Sequence, residues 1–175
     1  MPITINGSGT ITPSSAVQPA GSILQVVSTT KTDTFSASIT TGSQTAEVPG
    51  LTATITPSAT SSKILVLYAV SVGQDTPYMI LQRGGSALTA ATGDAAGSRT
   101  RMTLGAVNFN DSYTENISGQ FLDSPSSTSA LTYGMKFKHG SSSTKTLRIN
   151  YDNADADDAK RARAISTITL MEISG

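Results

Sequence analysis

Three short stretches of the sequence carry residue types that could do chemistry, and the first contains the only histidine. His139 follows a strand-like segment and is flanked by Lys138 and Gly140. The chain has no cysteine and no second histidine, which excludes the usual zinc ligand sets. A Ser–His–Asp hydrolase would need a nucleophile elbow, and no Gly-x-Ser-x-Gly motif is present. We therefore interpret His139 as a histidine in a surface turn.

The second stretch is the acidic run at residues 152–158. Asp152, Asp155 and Asp157 offer carboxylate oxygens of the kind that Ca²⁺ accepts, at a spacing that one loop could bring together. The run lacks the glycine and the distal glutamate of an EF-hand loop, and three basic residues follow it between positions 160 and 163. We favour a solvated loop that pairs with its own cations, with a metal site at these three aspartates as the alternative.

The third stretch, residues 93–101 (GDAAGSRTR), superficially suggests a phosphate-binding loop. It has neither the Gly-Lys-Ser/Thr ending nor a following helical pattern, so it does not qualify as one. The 12 basic and 12 acidic residues balance, and no basic stripe is interleaved with aromatics, so nucleic acid is not an expected partner. With no catalytic constellation, the sequence predicts a protein that is not an enzyme and needs no cofactor.

The longest apolar run, residues 63–72 (KILVLYAVSV), predicts a buried strand, because it is rich in β-branched residues and is bounded by turn residues. Both faces of this strand are apolar. One face carries Ile64, Val66, Tyr68, Val70 and Val72, and the other carries Leu65, Leu67 and Ala69. A sandwich core covers only one face, since the other side of an antiparallel sheet is usually solvated. The sequence leaves open which face meets the core, and whether the second cover is another part of this chain or another copy.

Short strand-like segments separated by turn residues recur from residue 23 to the end of the chain. Only 14% of residues are charged, and Ser, Thr, Val, Ile and Gly dominate, which favours strands and turns over helices. About eight to ten such segments are typical of a sandwich or a jelly roll. The sequence therefore predicts an all-β fold, an antiparallel, jelly-roll-like β-sandwich head at residues 23–175.

Residues 1–22 form an extended N-terminal arm in which Ile3, Ile5 and Ile11 are scattered among glycine and proline. Such a segment cannot bury enough apolar surface by itself, so we expect these isoleucines to make assembly contacts. The arm has neither the basic region nor the apolar region of a signal peptide. No stretch approaches the roughly 20 apolar residues of a membrane span, so membrane insertion is not expected.

Several blocks of the sequence resemble fibre-type structural proteins of tailed bacteriophages, marine ones in particular. Together they span nearly the whole chain. They are residues 3–12 (ITINGSGTIT), 21–28 (GSILQVVS), 55–66 (ITPSATSSKILV), 93–99 (GDAAGSR), 121–125 (FLDSP) and 166–172 (STITLME).

The resemblance implies a virion component, assembled in the host cytoplasm, with a trimeric β-sandwich head and an attachment arm. Its partners would be other copies of the chain and other proteins of the capsid or tail. Because the arm meets the head within about twenty residues, with no long shaft, a short appendage or a capsid decoration protein is favoured over a long fibre. We expect Leu65 and Leu67 to lie at the subunit contact. The alternative is a head that recognises a host receptor or surface glycan through residues 85–99 and 152–163.

Overall fold

The computed structural model describes residues 18–40, 42, 45, 47–73, 77–105 and 114–175. Within these residues lie eleven β-strands and one short 3-10 turn at Thr89–Ala91, without an α-helix. The strands are β1 (Ile23–Lys31), β2 (Phe35–Ile39), β3 (Ala53–Ile55), β4 (Lys63–Gly73), β5 (Pro77–Arg83), β6 (Ser86–Ala87), β7 (Leu104–Gly105), β8 (Thr114–Asp123), β9 (Leu131–His139), β10 (Lys145–Ile149) and β11 (Ser166–Ile173).

The strands form two antiparallel sheets that pack as a sandwich. In the six-stranded sheet, β4 lies between β8 and β11, and β1 pairs with the far side of β11. The other end of β4 pairs with β10, which in turn pairs with β2. In the five-stranded sheet, β9 lies between β3 and β5, and β5 also pairs with the short strands β6 and β7. The predicted all-β antiparallel sandwich is confirmed.

The core lies between the two sheets and decides which face of the central strand is buried. Val66 and Val70 of β4 are fully buried, as is Ile64 beside them. They belong to one cluster with side chains of the opposite sheet, among them Leu81 and Phe137. The face with Ile64, Val66 and Val70 therefore meets the core, and Leu65 and Leu67 point away from it.

One polar cluster connects the two sheets across this core. Asp123, at the end of β8, accepts hydrogen bonds from the Arg83 guanidinium and the Tyr133 hydroxyl, both at 2.6 Å. Arg83 and Tyr133 are paired neighbours in the five-stranded sheet, whereas Asp123 belongs to the six-stranded sheet. Burial, together with the adjacent Asp123 carboxylate, raises the pKa of Tyr133, so the phenol remains a neutral donor.

The edge of β4 is shared by two strands, and Asn150 fills the gap between them. β11 pairs with β4 as far as Ala69, and β10 begins pairing at Val72. Asn150 follows β10 directly, is completely buried and has a φ of 68°. Its backbone N–H donates to Ser71 O at 2.9 Å, so it continues the pairing where neither strand reaches.

The Asn150 side chain then joins three further parts of the chain. Its amide nitrogen donates to the backbone carbonyls of Lys31 and Asp33, both at 2.9 Å, which holds the turn between β1 and β2. Its amide oxygen accepts from the Ser166 hydroxyl at 2.6 Å, and Ser166 Oγ in turn accepts from the N–H of Ser71 at 3.0 Å. Every polar group of the side chain is thus satisfied inside the protein.

We expect Asn150→Ala to lower the free energy of unfolding by about 2–4 kcal/mol, because it leaves buried carbonyls and a hydroxyl without partners. Asn150→Gly removes the same hydrogen bonds but tolerates the positive φ, so it should recover about 1 kcal/mol of that loss. Urea unfolding followed by circular dichroism measures both. Asn153→Ala, in the exposed loop nearby, is the matched control. Equal stability of Asn150→Ala and the control would contradict the role given to Asn150.

Candidate assembly interface

The outward-facing positions of β1, β11, β4 and β8 form a continuous surface, which we call the outer face. On β4, Leu65, Leu67 and Ala69 lie on this face, because they alternate with the buried core residues. All three are half-buried within the single chain. The sequence predicted Leu65 and Leu67 as contact residues, and the structure places both where a second molecule could reach them.

An apolar row crosses the outer face from one edge to the other. Val26 pairs with Met171, Met171 with Leu65, and Leu65 with Leu122, so the four side chains stand side by side on four consecutive strands. The two ends of the row are its most exposed members, since Val26 is 54% and Leu122 is 47% exposed. The row is therefore an apolar surface that the described part of this chain covers incompletely.

Lys63, the first residue of β4, is the one charged side chain at the outward-facing positions of these four strands, and Arg148 lies on the same side beside the other end of β4. The remainder of the outer face is uncharged. Polar groups on the face also satisfy one another, as in the 2.8 Å hydrogen bond between the hydroxyls of Ser28 and Thr169. The polar members of the face are Ser28, Thr30, Asn116, Ser118, Gln120, Thr167 and Thr169.

The opposite surface of the sandwich has a different character. On β9, Lys136 and Lys138 alternate with the buried residues Met135 and Phe137, so both lysines lie on the outside of the five-stranded sheet. Among the described residues, the outer surface of the six-stranded sheet lacks charged side chains across its centre, whereas that of the five-stranded sheet carries Lys136 and Lys138. Depletion of charge is a property of the buried centre of protein interfaces.

The side chain of Glu172 on β11 points away from the outer face and into the protein. Glu172 is completely buried, and its Oε1 accepts from the N–H and hydroxyl of Ser58 and from the hydroxyl of Ser62, at 2.6–2.7 Å. Its Oε2 accepts from the Gln25 side chain at 2.6 Å. Burial alone would raise the pKa of Glu172, but these neutral donors outweigh it and lower the pKa to about 2.

The acidic loop is paired with its own arginines. Asp152 accepts from the N–H groups of Ala154 and Asp155 through Oδ1, and from Arg161 through Oδ2 at 3.1 Å. The Asp155 N–H, and then the Arg161 guanidinium, lower the pKa of Asp152. Asp155 itself forms an ion pair with Arg163 at 2.5 Å.

The third predicted ligand, Asp157, is exposed and shares with Asp152 and Asp155 the wall of a pocket of about 380 Å³. Among the described residues, no three acidic, histidine or cysteine side chains stand close enough to hold a metal ion. The loop thus brings the three predicted ligands to one pocket. Two of their carboxylates, those of Asp152 and Asp155, form ion pairs with arginines, so the arrangement does not support a calcium site.

The sequence-based interpretation of His139 as a histidine in a surface turn is wrong, because the residue is buried. The side chain is only 4% exposed. Nδ1 accepts from the N–H of Ser141 at 3.0 Å, which leaves the proton on Nε2, and Nε2 donates to Ile39 O at 2.7 Å. Because both ring nitrogens are engaged within the chain, His139 ties the end of β9 to the end of β2.

The predicted arm contacts at Ile3, Ile5 and Ile11 lie outside the described residues and stay predictions. The last residues of the arm, 18–22, are described and lead directly into β1. Gly21 donates to Ser174 O, and Ser174 donates to Ser22 O, both at 2.8 Å, so residues 21–22 already continue the pairing of β1 with β11.

Sequence reasoning missed Val26, Met171 and Leu122 as members of the apolar row on the outer face. Each sits in a strand-like segment, but its neighbours on the face come from distant parts of the chain. Only the register of the strands places the three in one row, and one sequence does not fix that register.

No protein-family model matches the chain, and a search of curated proteins gives no significant match. In the part of the chain that the structure describes, no helix is long and apolar enough to cross a membrane.

We expect Glu172 to make the protein acid-sensitive. Its pKa of about 2 in the folded state is below the ordinary value of 4.5, so its stabilisation is complete above pH 4.5 and is lost as the pH falls toward 2. Glu172→Gln should lower stability at pH 7 by at most about 3 kcal/mol, because the amide NH₂ would face other donors. It should also flatten the dependence of Tm on pH in this window.

Thermal unfolding between pH 2 and pH 7 measures both effects. Glu115→Gln, at an exposed position of β8, is the matched control. If the Tm of Glu172→Gln fell with acid as steeply as that of the unmodified protein, another group would be responsible for the acid sensitivity.

Proposed function

We propose that this chain is a non-enzymatic structural protein of a tailed-phage virion. In this role it is a short trimeric appendage or a capsid decoration (cement) protein, held in the particle by its N-terminal arm. The observation that carries the proposal is the outer face, a four-stranded surface that is crossed by an apolar row and is uncharged apart from Lys63 at the start of β4. The assignment to a virion and to a trimer is supported by the sequence resemblance to fibre-type phage proteins.

The physical argument for assembly is the incomplete burial of the apolar row. Monomeric proteins rarely expose contiguous apolar surface without a binding role. Val26 and Leu122 are each about half exposed, and Leu65 lies between them in the same row. A second copy brings a face whose centre is likewise uncharged, so contact there involves no like-charge repulsion and no desolvation of ions.

A second candidate function is recognition of a host receptor or surface glycan, and one groove favours it. The groove has a volume of about 330 Å³ and lies between β8 and the 3-10 turn, which is part of the 85–99 loop predicted as a contact surface. Tyr68 and Phe121 line it together with the hydroxyls of Thr92, Thr103 and Ser118, and none of its lining residues is charged. Such a lining would suit a neutral sugar. Binding of the purified protein to neutral glycans on an array would favour this candidate, and the absence of such binding would leave the structural role.

The two faces of β4 give a direct test of assembly. We expect Leu67→Lys to leave the fold intact but to dissociate the oligomer, because Leu67 lies on the outer face. Val66→Lys should unfold the protein, because Val66 is completely buried and a charge there has no partner. Light scattering coupled to gel filtration reports the oligomer, and circular dichroism reports the fold.

Thr54→Lys, on the outside of the five-stranded sheet, is the matched control and should change neither. A monomeric mass for the unmodified protein at micromolar concentration would overturn the proposed assembly. Mass spectrometry of purified particles of the source phage tests the virion assignment separately, since a virion protein must be present at a fixed copy number.

A further inference from the structure

Three strands of the six-stranded sheet, β1, β2 and β8, each have one edge without a strand partner among the described residues, and β2 is the shortest of them, with five residues. β8 is ten residues long and pairs with β4 over its whole length without a bulge. β1 has nine residues, and its only irregularity lies at its first residues. Edges of this length are normally protected by charge, proline or bulges. Residues 24–30 and 116–122 contain neither a charge nor a proline.

We propose that β8 of one copy pairs with β1 of the next copy, so that the six-stranded sheet continues from subunit to subunit. The inference rests on the proposed function, since it specifies the contact within that assembly. The outer face alone covers roughly 500 Å², less than the about 800 Å² that each partner of a stable complex usually buries. Edge pairing supplies backbone hydrogen bonds and additional buried area.

The strand directions permit this contact. β8 runs antiparallel to β4, whereas β1 and β4 both run antiparallel to β11 and are therefore parallel to each other. A rotation about an axis parallel to the strands keeps these directions. It consequently brings β8 and the neighbouring β1 together as an antiparallel pair. Such a head-to-tail contact closes into a ring when the rotation is a simple fraction of a turn, as in a trimer.

The apolar row sets the register of the joint. Its exposed ends, Leu122 on β8 and Val26 on β1, become direct neighbours when the row continues into the next copy. With these two opposed, Phe121 lies opposite Val27, and both belong to the core side of the sheet. Apolar side chains thus meet at these two adjacent pairs, which is a pairing that stabilises antiparallel strands.

Tyr68 provides an independent observation at the same edge. The side chain is only 4% exposed, and it lines the groove beside β8. The hydroxyl lies 2.8 Å from the place where a Cβ of residue 119 would stand, so it extends over Gly119 toward the groove beside β8. In the proposed register Gly119 lies opposite Thr29 of the next copy, whose hydroxyl would meet that of Tyr68.

Disulfide trapping tests the joint in a chain that has no cysteine of its own. Val26→Cys and Leu122→Cys are prepared as separate proteins, mixed and oxidised. We expect a disulfide-linked dimer containing one of each, because directly opposed strand residues have Cβ atoms about 5 Å apart. Within one copy the two positions are separated by three inter-strand spacings, roughly 15 Å, so an internal disulfide cannot form.

Asn116→Cys is the matched control, since it lies on the same side of β8 as Leu122. It stands six residues away, about 20 Å along the strand, and should not link to Val26→Cys. Preferential linking of Leu122→Cys to itself would overturn the proposal in favour of a two-fold contact between β8 strands. Absence of any link while light scattering still shows an oligomer would overturn the edge joint but leave the proposed function intact. A monomeric unmodified protein would overturn both.

Discussion

The sandwich depends on the way that one edge of β4 is divided between two strands. β11 covers the first part of this edge and β10 covers its end, so the junction would leave buried backbone groups unpaired without Asn150. The buried amide and the Ser166 hydroxyl satisfy these groups, and they also hold the turn after β1. The junction therefore fixes where β11 begins beside β4. Since β11 contributes Met171 to the apolar row, the alignment of the outer face follows from a hydrogen-bond network at the opposite end of the sheet.

The distribution of charge follows from the same architecture. The chain has few charged residues, and those near the six-stranded sheet point inward or lie at its ends. Glu172 receives four hydrogen bonds from neutral donors, and Asp123 connects the two sheets through Arg83 and Tyr133. A carboxylate that is fully hydrogen-bonded in the interior remains stable without an exposed counter-ion. The outer face can consequently lack charge while the protein keeps its buried polar connections.

Much of the fold could be predicted from the sequence, whereas the candidate interface on the outer face could be predicted only in part. The central strand was expected at residues 63–72 and spans Lys63–Gly73. Alternation separated Leu65 and Leu67 from Val66, but both sets are apolar, so the pattern could not decide which set meets the core. Only the strand register places Val26 and Leu122 in the apolar row, and that register depends on residues far apart in the chain. The sequence indicated an exposed His139 and gave no sign of the role of Asn150, because polar residues in a turn-like sequence are usually exposed. Only the tertiary contacts show that both residues are buried.

The uncharged outer face has a consequence for the surroundings in which an assembly could persist. Contacts between charged groups weaken as ionic strength rises, because counter-ions screen them within a few ångströms. A face built mainly from aliphatic side chains and hydroxyls has no such attraction to lose, so an association through it would not weaken as the salt concentration rises. The same face is more sensitive to temperature, since apolar association weakens on cooling. An assembly held together by this face would therefore tolerate high salt better than cold.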